Sequence, residues 1–146
     1  MKQSLYMIAA ILFAGPALAD AHLTATGDAA EGEKAFRQCQ SCHVVQNADG
    51  EVLAGRAAKT GPNLFDVVGR EAGSVEDFRY SDLMVAAGEA GMIYDESSFM
   101  AYVMDPTNYL REVTGETSGR SKMSYKVRKE EDALNLYAFL AQFAEQ

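Results

Sequence analysis

Cys39-Gln40-Ser41-Cys42-His43 contains both cysteines of the chain and one of its two histidines. C-x-x-C-H is the attachment pattern of c-type haem. Two thiols three positions apart can reach the two vinyl groups on one edge of a porphyrin and form thioethers. The adjacent His43 then lies under the ring centre and can ligate iron. Three other chemistries use similar residues. A thioredoxin-like redox pair wants a strand–helix context, and no strand pattern precedes Cys39. A zinc site needs four ligands, and the only further histidine is His22, far out toward the N-terminus. A Cys39–Cys42 disulfide would be strained and would leave His43 without a role. The motif therefore predicts covalent haem.

Outward from the motif, Asp28 stands before Ala29, Ala30, Gly32, Ala35 and Phe36. That pattern predicts a helix over 29–38, capped by Asp28, with Glu31 and Glu33 favourably placed in its first turn. Residues 47–64 read as loop, punctuated by Asp49-Gly50, Gly55 and Gly61-Pro62. Phe65 to Gly69 fits one short turn. Ser81 caps a second expected helix through Leu83, Met84, Val85 and Ala87, stopped near Gly88 or Gly91. Asp95 opens a third, with Ser98, Phe99, Tyr102 and Val103, ended by Pro106. Residues 114–124 are Gly- and Ser-rich loop. Residues 129–143 repeat Ala133, Leu136, Tyr137, Leu140 and Phe143 at helical spacing. No alternating strand pattern stands out, so the predicted class is all-α with long loops. Loops of this length need something to organise them, and a buried cofactor would serve.

The 146 residues, 48% apolar and 23% charged, suit one packed domain. Thirteen basic against 21 acidic side chains give a formal charge of −8. Nucleic-acid affinity comes from accumulated Lys and Arg, so nucleic acid is excluded as a partner. Lys2, the short apolar block from Leu5 to Leu12 and the small residues of Ala17-Leu18-Ala19 compose a signal peptide. Cleavage is expected after Ala19, with Ala21 as the alternative, leaving residues 20–146 as the domain. The apolar stretch is too short, and too broken by Gly15-Pro16, for a membrane anchor. Removal of Lys2 shifts the formal charge from −8 to −9. An exported chain of this kind belongs in a periplasm.

An open iron site could bind gas or peroxide, whereas a closed one transfers electrons. With no second histidine at hand, methionine is the leading candidate for the far ligand. Met84, Met100 and Met104 sit in apolar-periodic helices and read as core filler. Met92 lies in a short turn, and pattern alone leaves it open. Met123 stands in Ser121-Lys122-Met123-Ser124, polar and aperiodic, where a lone methionine needs something to hold it.

At this point the chain resembles class I cytochrome c and, within it, the cytochrome c2 of purple photosynthetic bacteria. The landmarks run in order: Gly32-Glu33-Lys34-Ala35-Phe36, Cys39–His43, Thr60-Gly61-Pro62-Asn63-Leu64, Val68-Gly69-Arg70, Phe78-Arg79-Tyr80, Asp105-Pro106, Lys122-Met123 and Leu136-Tyr137-Ala138-Phe139-Leu140. Extended segments at 44–60 and 111–121 are similar to the long bacterial type. The resemblance implies one domain, in which helices and long loops wrap a single haem c held by Cys39 and Cys42. His43 and Met123 would be the axial ligands. It further implies that the Pro62 carbonyl orients His43, that the Tyr102 hydroxyl lies near the Met123 sulfur, and that Arg70, Tyr80, Tyr94 and Ser121 surround the propionates. Tyr94 stands where the family usually has Trp. The implied function is that of a monomeric, soluble periplasmic one-electron carrier rather than an enzyme. It would take electrons from the cytochrome bc1 complex to the photosynthetic reaction centre or a terminal oxidase.

Charge placement fits transient docking. Lys34, Arg37, Lys59, Lys122, Lys126, Arg128 and Lys129 flank the segments expected around haem. The acids concentrate more on 66–116, with Glu130, Glu131 and Glu145 as exceptions. A basic haem edge would steer the carrier onto acidic partners.

Overall fold

The computed structural model describes residues 24–144. The expected signal segment 1–19, the alternative cleavage site at Ala21, and His22 lie outside the described residues. Five helices occur among them: α1 (Ala29–Phe36), α2 (Asp82–Glu89), α3 (Glu96–Met104), α4 (Pro106–Thr114) and α5 (Glu130–Ala141). None is long and apolar enough to cross a membrane.

Three of the starts are written in the capping residues. The Asp28 carboxylate accepts from the amides of Ala30 and Glu31, Ser81 Oγ from Met84 N, and Asp95 from Ser98 N. The end of α3 was expected at Pro106, and α3 does end at Met104. Pro106 does not stop helical structure, however. It occupies the first turn of α4, where a missing N–H is harmless and its fixed φ suits the helix. Asp105, at φ −148° and ψ 77°, makes the corner between the two helices. Gly115 closes α4 at φ 74°, a left-handed cap that glycine adopts without strain.

The loop expected over 47–64 requires a correction. Val44–Gln46 (β1) and Val52–Gly55 (β2) pair as an antiparallel hairpin, with Val44 opposite Gly55 and an irregularity between Val45 and Gln46. Strands of three and four residues, broken by a register shift, have no room to show alternation.

The frame is set by α1 crossing α5. Gly32 is the contact point: a Cβ there would run into the Asn135 carbonyl and sit 2.7 Å from Phe139 Cβ. Phe36 packs on Phe139 with ring centroids 5.2 Å apart, and Asn135 Oδ1 accepts from Asp28 N at 2.8 Å. On the other side of α5, Tyr137 meets Phe99 of α3 at 5.5 Å. Phe36, Leu136, Tyr137, Leu140, Phe99 and Val103 belong to one core. That core lines one wall of a cavity.

Candidate haem site

Directly after α1 the chain turns tightly: Cys42 N and His43 N both donate to the Cys39 carbonyl, at 3.0 and 2.9 Å. This winding puts both thiols and the imidazole on one stretch of wall in a cavity of about 270 Å³. The thiols are free and half-buried. Burial, with help from the neighbouring Cys42, pushes the Cys39 thiol up to about 11. The side chain of His43 is bonded through Nδ1 to the Pro62 carbonyl at 2.8 Å. Nε2 is then the nitrogen left for another bond. Burial lowers the His43 pKa, with the Pro62 bond partly opposing it, so the neutral, ligating form is favoured.

The segment carrying Pro62 is fastened to the motif by backbone bonds. Gly61 N donates to the Cys42 carbonyl at 2.7 Å and Leu64 N to the Val44 carbonyl at 2.8 Å. Asn63 completes the splice, exchanging bonds with Gln46 at 3.0 and 2.7 Å. Gly61 lies so close to the imidazole that a Cβ would be 2.6 Å from Nδ1.

Every expected site residue lines this same cavity: Cys39, Cys42, His43, Pro62, Arg70, Tyr80, Tyr94, Tyr102, Ser121 and Met123. Arg70 commits two guanidinium nitrogens to the Phe65 and Asn63 carbonyls, at 2.8 and 3.1 Å. Burial lowers its pKa, with Tyr80 and Tyr94 acting in the opposite sense. Tyr94, 8% exposed, donates its hydroxyl to Met84 Sδ at 3.5 Å. Burial raises its pKa strongly, so it remains a neutral donor. The Tyr102 hydroxyl bonds Ser121 Oγ at 3.1 Å, and Ser121 Oγ accepts from Met123 N at 3.2 Å. The hydroxyl therefore reaches the Met123 segment through Ser121.

Two methionines change places relative to the sequence reading. Met92, left open by pattern, is buried in a separate cleft beside Asp95 and Tyr109. Met84, read as core filler, lines the main cavity together with Met123. Helical period marks a buried face without saying whether protein or cofactor meets it.

These residues suit a large flat apolar group with two attachment points. The lining is mostly apolar, the thiols are unpaired, the imidazole has one nitrogen committed, and Tyr94 has only a weak thioether acceptor for a strong donor.

No protein-family model matches the chain. Individual relatives do. Cytochrome c2 of Rhodovulum adriaticum is 58% identical over 116 residues, covering 80% of this chain and 92% of that protein. The chain belongs to the cytochrome c2 family. Cytochrome c2 of Cereibacter sphaeroides is 48% identical across 99% of this chain and 98% of its own. The crystal structure of cytochrome c2 from Rhodobacter sphaeroides superposes with a TM-score of 0.80 at 50% identity, covering 82% of this chain and 98% of that one. As a class I cytochrome c2, the chain is an electron carrier rather than an enzyme and has one covalently bound haem c.

Proposed function

We propose that this protein is a periplasmic shuttle that takes one electron at a time from a cytochrome bc1 complex to a photosynthetic reaction centre or terminal oxidase. Export follows from residues 1–19 as a cleaved signal peptide. Cys39 and Cys42 would hold the haem through thioethers, and His43 and Met123 would ligate its iron. The observation that supports this best is that one cavity gathers both thiols, an imidazole already fixed by Pro62, and Met123.

Haem c supplies an iron that alternates between ferrous and ferric. The chain's own part is to keep both ligands still. Pro62 fixes the plane of the His43 ring and raises its basicity. Met123 offers a soft, neutral sulfur, which favours the ferrous state and raises the potential. Arg70, Tyr80, Tyr94 and Ser121 supply a positive charge and hydroxyls against the propionates, which would otherwise be costly to bury. Basic residues, Lys122 in the cavity lining and Lys59 next in the chain to the lining residue Thr60, steer the haem edge onto acidic partners. Among the basic residues expected to flank the haem segments, Lys34 is paired with Glu31 and Lys126 with Asp105, so their fields are partly spent inside the molecule.

The test is an absorption spectrum and an intact mass on periplasmic protein. The expected result is a c-type haem with the weak red band of Met–ferric ligation, and a mass that starts at Asp20 (or His22) plus one haem. A high-spin ferric spectrum, or a mass that retains residues 1–19, overturns the reading.

A further inference from the structure

We propose that α4 is the latch of the Met123 loop, with Arg111 and Thr107 as positioning residues that set how readily the loop releases its methionine. The proposal rests on Met123 as the axial ligand. The loop between α4 and α5 has no secondary structure of its own, and residues 115–120 are exposed. Its order depends on a few bonds to the body of the protein.

Those bonds are unequal. The far half is held by backbone: Val127, buried, donates its amide to the Val103 carbonyl at 2.9 Å. The near half, which leads into Met123, is held by side-chain bonds, two of them from α4, beside Tyr102 on Ser121 and Lys122 Nζ on the Arg79 carbonyl. Arg111 Nη2 donates to the Gly119 carbonyl at 2.7 Å, and Ser121 N donates to Thr107 Oγ1 at 3.2 Å. Thr107 and Arg111 are four positions apart on one helix and therefore share a face, so α4 presents a two-point ridge to the loop. The chain reaches that ridge through Gly119, at φ +84°. Ser121 carries the constraint onward, since its Oγ accepts from Met123 N and bonds the Tyr102 hydroxyl. Neither Thr107 nor Arg111 lines the cavity. Their influence on the ligand passes through Gly119 and Ser121.

An external ligand such as imidazole must wait for the loop to open, so its apparent affinity scales with the open fraction. Arg111→Met keeps the apolar stem and removes the donor. In the ferric holoprotein it should raise apparent imidazole affinity about tenfold, as expected for one hydrogen bond with a charged donor. Thr107→Val should raise it about threefold, as for a neutral bond. Arg111→Lys, which retains a donor, should recover most of the difference, and Glu112→Gln on the exposed side of α4 should change nothing. The red band at rest should persist in all four, which a merely unfolded loop would not allow. If Arg111→Met and Thr107→Val bind imidazole like the parent while Met123→Ala binds it tightly, the latch is refuted and the ligand reading stands. If Met123→Ala leaves both band and affinity unchanged, the ligand reading fails and the latch with it. Should Arg111→Met fail to accumulate, Thr107→Val and Arg111→Lys decide the matter by the same titration.

Discussion

Gly61→Ala adds a single methyl group at the tightest point of the site. Gly61 is not among the positive-φ residues, so the backbone would accept alanine; space is what forbids it. The new Cβ would stand 2.6 Å from His43 Nδ1 and 2.8 Å from Nε2, against ordinary contacts that begin near 3.4 Å. Cε1 lies nearer still, so something must move by more than about 0.8 Å, the shortfall at Nδ1. The backbone is poorly placed to yield, because Gly61 N is bonded to the Cys42 carbonyl at 2.7 Å. The imidazole must tilt, and tilting breaks its 2.8 Å bond to Pro62. Overpacking of this kind costs about 1–3 kcal/mol. The lost hydrogen bond adds about 1 kcal/mol. The sum, about 2–4 kcal/mol, corresponds to a melting point lower by about 8–16 °C for a domain of this size. The assay is thermal unfolding of the holoprotein followed at the haem absorbance, with the reduction potential measured alongside. The potential should shift as His43 loses the carbonyl that raises its basicity. Gly91→Ala is the comparison: with φ +89° and nothing within 4 Å of a Cβ, it tests backbone strain without a clash. It should cost about 1–2 kcal/mol and leave the potential alone. A Gly61→Ala protein that melts within about 2 °C of the parent at an unchanged potential would refute the account of His43, since even the lower bound of the cost is several times larger.

Three other outcomes follow from the same geometry. Met123→Ala should lose the red band, lower the potential and admit azide or cyanide, while the protein should stay red, since the proposed His43 and thioether bonds would still hold the haem. Met84→Leu is now the control, since Met84 shares the cavity wall and Met92 does not; loss of the band in Met84→Leu alone would exchange their roles. Cys42→Ser should leave at most one thioether and little stable holoprotein, and an intact mass with two covalent links would contradict the attachment. Lys59→Glu with Arg128→Glu should slow association with an acidic redox partner about tenfold at low salt, with the gap closing as salt rises. Neither side chain takes part in an ion pair among the described residues, so the pair isolates charge better than Lys126, which is tied to Asp105. An equal defect at low and high salt would count against steering.

How much of this was legible in the sequence depends on how local each cause is. A cap is a contact across two or three residues, so Asp28, Ser81 and Asp95 announced their helices correctly. The motif was legible for the same reason: its spacing is its chemistry. Pro106 misled because proline has two opposite meanings, a stop within a helix and a favoured first residue of the next, and only the Asp105 corner distinguishes them. The helix so concealed is the one that holds the Met123 loop. Arg111 could have been singled out only by knowing that Gly119 lies beside it, a contact no periodicity encodes. The hairpin at 44–55 escaped because its strands are short and its register shifts.

The two sides of the cavity are held by different means, and the difference bears on electron transfer. On the His43 side the chain is bonded to itself through backbone: Cys42 N and His43 N to Cys39, Gly61 N to Cys42, Leu64 N to Val44. Several backbone bonds cross this side, so it is the harder of the two to open locally. On the Met123 side the near half of the loop hangs on side-chain bonds: from Thr107, Arg111 and Tyr102 to the loop, and from Lys122 to the Arg79 carbonyl. Such bonds can be lost singly, and the loop can open while the core stays packed. Electron transfer is fastest when neither ligand moves between oxidation states, because a ligand that stays in place adds nothing to the reorganisation the electron must wait for. With His43 and Met123 as the proposed ligands, the imidazole is the better fixed of the two. On the latch proposal, Met123 stays in place only as long as α4 keeps hold of the loop, so the residues that would tune this carrier lie on α4 and in residues 119–123, outside the cysteine–histidine motif that announces it.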